Sequence, residues 1–198
     1  MSERQHHRPM RPGAGFFAEI DAGADPALLS EAADRAANLL VRGARATDDP
    51  AVAERILHLA DTEGIETIAE VWSHSAADSL AGCLWRLFLL RSWVYADPLG
   101  VAREYDAGVV RAPVAQVVAG VAEPPGPEEL KTMVDEVLRG IAASEFADVL
   151  FRAAAFSRVV ATGRAVLPER SEPDVQRMLV LAEQLEAAGH EELAHGLS

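Results

Sequence analysis

Apolar residues are densest between Ser75 and Asp97, SAADSLAGCLWRLFLLRSWVYAD, where they fall on every side of a helical projection. A helix that is hydrophobic all round belongs in an interior, so the pattern predicts a central strut over 76–96 with other helices packed about it. Ser75, with Asp78 three residues on, matches a capping box at its start. Leu80, Leu84, Leu87 and Val94 form the tightest stripe, and Arg91 falls within about 20° of its middle at the helical period. A desolvated guanidinium is costly unless an acceptor meets it. Two acceptors are open: an acid of another helix in a fixed ion pair or, with Arg86 helping, a carboxylate or phosphate ligand. The opposite side carries Trp85, Leu89 and Trp93, with Trp72 and Tyr95 near in sequence. Aromatics at this spacing usually pack inside; left exposed, the tryptophans Trp72, Trp85 and Trp93 would mark a partner interface.

Outside the strut, spacings of three and four recur between an acid or small cap, often followed by proline, and a glycine stop. Asp25-Pro26 opens a first helix with Leu29, Ala32, Ala33, Ala36 and Leu40 inward and Gly43 closing it. Asp49-Pro50 opens a second through Val52, Ile56 and Leu59, and Ile65, Ile68, Ala69 and Trp72 mark a short third. After the strut, Asp97-Pro98 begins a helix to Gly108 and Pro113 another through Val117 and Val121. The breaker EPPGP at 123–127 precedes a helix from Pro127 with Leu130, Val134, Val137 and Ile141 inward. The next, from about Ser144, carries Val149, Ala153, Phe156 and Val160. The last turns Val175, Met178, Leu179, Ala182 and Leu185 inward and ends at Gly189. Residues 1–15, with no periodicity, read as a flexible tail. The expectation is therefore one all-α domain over 16–198, an irregular bundle of about eight to ten helices, with an α-solenoid of helical hairpins as the alternative.

Composition narrows function mainly by exclusion. A net charge of −13 and a single lysine, Lys131, argue against the phosphate backbone of nucleic acid as a partner. Glu169 to Ser198 holds seven carboxylates against Arg170 and Arg177, a net of −5 that reads as a solvated face. A lone cysteine, Cys83, rules out an intramolecular disulfide and suits a reducing compartment, so the cytoplasm is expected. Spanning a membrane with 76–96 would place two arginines in the bilayer at about 2.5–3.5 kcal/mol each.

No catalytic motif, metal box or cofactor loop emerges. His190 and His195 in HEELAH are five residues apart, about 140° around a helix, and cannot share a metal as the zinc-protease box does. Glu54, His58 and Asp61 share a face but read as solvated, and Ser73, Ser75 and Ser79 flank His74 with no strained elbow to present a nucleophile. From Leu181 to Ala194, the placing of Ala182, Leu185, Gly189 and Ala194 resembles the middle of a tetratricopeptide repeat, which implies a helix turn at Gly189. The likeness covers fourteen residues and carries no array. A weaker internal likeness pairs Ala81, Leu84, Arg86 and Val94 with Ala147, Leu150, Arg152 and Val160, predicting two similarly placed core helices.

The reading that follows is a cytoplasmic, non-catalytic interaction or regulatory protein, binding a protein partner or itself as a homodimer through a helix face, with no cofactor, nucleic acid or membrane. The alternative is a small-ligand, anion-binding protein or enzyme with a pocket beside the central helix, formed by His74, Arg86 and Arg91 with the tryptophans.

Overall fold

The computed structural model describes residues 26–47, 72–112, 117–121, 126–143 and 145–197, together with His58. Within them the fold is all-α. It comprises α1 (Pro26–Thr47), α2 (Leu80–Ala96), α3 (Pro98–Val109), α4 (Pro127–Ala143), α5 (Phe146–Arg164) and α6 (Glu172–Ala194), with a further helical turn at 117–119. The expected tail over 1–15, and the second and third helices apart from His58 and Trp72, lie outside the described residues. None of the described helices is long and apolar enough to cross a membrane.

Buried apolar side chains from all six helices join one contiguous core. α2 meets α1, α4 and α6, while α5 packs most extensively on α6 and α3. Arg42 of α1 grips Glu192 near the end of α6 through two hydrogen bonds of 2.5 and 2.7 Å, and that hydrogen bonding raises the Arg42 pKa. A contact across 150 residues does not occur in a solenoid, whose repeats touch only their neighbours. The chain is a bundle.

Among the described helices, two are interior. In α2, ten of 17 residues are buried; in α5, fourteen of 19 are, so the strut does not stand alone at the centre. α5 is rich in alanine, which lets neighbours approach from every side, and it crosses α3 at a pair of glycines. A Cβ on Gly163 would lie 1.7 Å from the Glu104 carbonyl oxygen, and one on Gly108 would lie 2.0 Å from that of Val159. Beside this crossing Tyr105 and Phe156 stack with ring centroids 5.5 Å apart. Glycines expected only as stops therefore also serve as contact points. Gly189 is another: it lies inside α6 against the Phe151 ring, α6 runs unbroken to Ala194, and the tetratricopeptide-like turn is absent.

Several boundaries and faces differ from expectation for local reasons. α2 begins at Leu80, not Ser75, because Ser79 is the cap: its Oγ accepts the Gly82 N–H at 3.0 Å. Asp78 stays exposed in the preceding turn, which folds back so closely that a Cβ on Gly82 would meet the Ala76 carbonyl. α1 buries Ala33, Ala37 and Val41 while Leu39 is 70% exposed, a face rotated from the expected one, and it continues through Gly43 to Thr47. The turn before Val121 ends at Gly120, whose φ of 65° stops a right-handed helix. The inward residues expected of α4 and α5 are all buried, and Ser171 with Asp174 closes a capping box at the start of α6.

Candidate functional site

Arg91 is 7% exposed, as its place on the stripe of Leu80, Leu84, Leu87 and Val94 requires. Its Nε donates to Asp135 Oδ1 of α4 at 2.7 Å. Tyr95 donates its hydroxyl to the other carboxylate oxygen at 2.7 Å and lays its ring 4.1 Å below the guanidinium. Of the two acceptors open for Arg91, the acid of another helix is the one present, and Arg91 does not line the cavity described next.

Arg86 has a different environment. It is half-buried, its Nε donates to Gln184 Oε1 of α6 at 2.8 Å, and one terminal nitrogen donates to the Gly82 carbonyl at 2.8 Å. Both acceptors are neutral; among the described residues no carboxylate pairs with Arg86. Burial is the first cause pulling its pKa below the ordinary arginine value and outweighs the nearby Asp78 carboxylate, which acts the other way without a hydrogen bond or ion pair to the guanidinium. This is the expected response of a cation removed from water with no acid in direct contact.

This guanidinium borders a cavity of about 410 Å³ between α2 and α6. α2 contributes Trp85, Arg86, Leu89, Leu90 and Trp93; α6 contributes Arg177, Met178, Val180, Leu181 and Gln184; Arg164 reaches in from the end of α5. Apolar side chains make most of the wall, and three arginines and one amide make the rest. Arg164 and Arg177 have carboxylate partners. Arg164 Nε donates to Glu104 Oε2 at 2.8 Å, a terminal nitrogen reaches the Asp174 carbonyl at 3.2 Å, and its plane covers the Trp93 ring at 4.7 Å. Glu104, 1% exposed, also receives Arg170 at 2.5 Å on its second oxygen. Arg177 pairs with Asp174. Among the described lining residues, Arg86 is the cation that lacks an acid pair.

The remaining expected site residues are dispersed. Trp72 belongs to the core: it is 5% exposed, stacks on Phe88 at 6.0 Å and donates its indole N–H to the Ala33 carbonyl at 3.1 Å, so it offers nothing to an interface. His74 is exposed in the turn before α2, with Nδ1 3.1 Å from Ser73 Oγ, and does not reach the cavity. Trp85 and Trp93 do, half-buried on its wall. The α2 side carrying Trp85, Leu89 and Trp93 is thus open to the cavity instead of being wrapped. Cys83 is fully buried, and loss of solvation pushes its thiol up to about 12, far from a nucleophile.

Sequence reasoning missed Arg164, Met178, Leu181 and Gln184 as neighbours of α2. Arg164 had the same signal as Arg91: it continues the inward stripe of Phe156 and Val160 at a spacing of four. No group of three His, Cys, Asp or Glu side chains among the described residues could hold a metal ion; Glu54 and Asp61 lie outside them, and His58 is exposed.

No protein-family model, curated protein or solved structure matches the chain. The site therefore has to be read from its own chemistry. A second and larger cavity, about 730 Å³, is bordered by Val118, Phe151, Arg152, Arg158 and His190 among others. There Arg158 pairs with Glu186 and Arg152 with Glu136 at 2.9 Å, leaving neither arginine free to select an anion. Volume favours that cavity, but the unmatched charge belongs to the smaller one.

Proposed function

We propose that this chain is a non-catalytic binding protein for a small organic anion, held in the cavity beside α2. One observation carries the reading: Arg86 presents a half-buried guanidinium without a carboxylate at the edge of an apolar cavity. An incoming anion would supply the carboxylate in direct contact that Arg86 lacks, with Asp78 acting on it only from a distance, and charge-assisted hydrogen bonds gain strength in such a poorly solvated place. The described lining holds no carboxylate, histidine, hydroxyl or thiol, so it offers no group to move a proton near neutral pH or to attack a bond. Binding and orientation are what it can do.

The test is titration calorimetry of the full chain against a panel of organic anions, with Arg86→Met alongside. At least one anion is expected to bind and to lose roughly 10- to 100-fold in affinity in the variant, the range of a charged hydrogen bond. Unaltered binding in Arg86→Met, or no binding across the panel, refutes the reading. An interaction surface would use the same Trp85, Leu89 and Trp93. The two readings separate on light scattering: an interface predicts that replacing both tryptophans by alanine changes particle size, whereas a ligand cavity predicts lost affinity at constant size.

A further inference from the structure

The cavity has a direction. Arg86 meets Gln184 at one end. Seven residues further along α2, Trp93 lies under Arg164, which also reaches the Asp174 carbonyl near the start of α6. α2 and α6 therefore run antiparallel along the cavity, and the stretch from Arg86 to Trp93 is about 10 Å at the rise of a helix. The two ends differ in charge. At the first, the guanidinium hydrogen-bonds only neutral acceptors among the described residues, with Asp78 near but not paired to it. At the second, Arg164 is held by Glu104 and Arg177 by Asp174, so the cations there are already neutralised and Trp93 offers an apolar ring. Between them lie Leu89, Met178 and Leu181.

Building on the reading above, we propose that the ligand is an amphipathic monoanion, its carboxylate on Arg86 and a straight apolar body lying along α2 and α6 as far as Trp93. A short anion would satisfy Arg86 but leave the apolar walls in water. A dicarboxylate of matching length would bring a second charge to an end with no unpaired cation, at a desolvation cost with no compensating partner.

The experiment is calorimetric titration of the full chain with straight-chain monocarboxylates of increasing length and the corresponding α,ω-dicarboxylates, at fixed ionic strength. Affinity is expected to rise about three- to fourfold per methylene, the fold-change equivalent to burying one such group, and to level off once the body spans about 10 Å, two helical turns. Each dicarboxylate is expected to bind more weakly than the monocarboxylate of equal length. Met178→Phe should shorten the optimal length, and Val180→Trp, at the more exposed rim, should do the same if the buried substitution unfolds α6. Binding that ignores chain length, a preference for dicarboxylates, or an optimum unmoved in a folded variant overturns the assignment of polarity while the anion-binding reading stands. Failure of every acid to bind, short or long, overturns both.

Discussion

Glu104→Gln is the most demanding perturbation the structure offers. Glu104 is 1% exposed and faces Arg164 at 2.8 Å and Arg170 at 2.5 Å. Glutamine preserves the volume and removes the charge, leaving the 8%-exposed Arg164 with the Asp174 carbonyl and the Trp93 ring but no acid. Breaking a buried ion pair from one side costs about 3–5 kcal/mol. The lower end applies here, because the amide oxygen still accepts one N–H and the partly exposed Arg170 can return to water. A loss of about 3 kcal/mol is expected in urea unfolding, with the melting temperature lowered by roughly 6–12 °C for a chain of this size. Adding Arg164→Met removes the stranded cation, so the double variant should be more stable than Glu104→Gln alone, with a coupling of at least about 1 kcal/mol. The single variant also gives the cavity a second unpaired guanidinium at the Trp93 end, so it should bind dicarboxylates more tightly than the natural chain does. A stability change below about 0.5 kcal/mol, in the range of an ordinary surface substitution, would refute the buried network, and strict additivity of the two substitutions would refute the stranded-cation argument.

Two further outcomes follow from single groups. Cys83, with its thiol pushed up to about 12 by burial, should resist alkylation at neutral pH in the folded chain and react promptly in denaturant; rapid labelling of the native protein would contradict its burial. Hydrogen bonds from Ser171 are the leading cause holding the Asp174 carboxyl below the ordinary aspartate range, so the ionised form stabilises the start of α6 at neutral pH, and that stabilisation fades as the pH falls from that range through the lower folded value. Ser171→Ala should be less stable than the natural chain by about 1 kcal/mol at neutral pH, as for other lost helix caps, with a deficit that narrows in acid; a deficit constant across pH would refute the Asp174 contribution.

The sequence revealed what one helix requires of itself and hid what depends on its neighbours. Leu80, Leu84, Leu87 and Val94 lie on one face by helical period alone, and they are buried. Asp97-Pro98 placed the start of α3 and Pro127 that of α4 for the same local reason. The start of α2 was missed because Ser75 and Ser79 offer the same oxygen, and the choice between them is made by the turn over residues 73–79 packing against Gly82. The face of α1 was missed because Ala32, Ala33, Ala36 and Ala37 are identical small side chains on adjoining faces; which of them lies inside depends on what packs there.

The arginines mark that limit most clearly and bring the argument to function. Arg86 and Arg91 sit five residues apart in the same apolar run, and nothing in their own spacing says which has an acid. Asp135, forty-four residues from Arg91, decides it: α4 brings that carboxylate to Arg91, whereas α6 brings only the amide of Gln184 to Arg86. Arg164 repeats the first case, with Glu104 delivered by the glycine crossing of α3 and α5. Structural cations in this bundle are thus recognised by an acid arriving from a distant helix. Arg86 departs from that rule while lining an apolar cavity, and this asymmetry, rather than cavity size or the tryptophans alone, makes it the residue on which a ligand should depend.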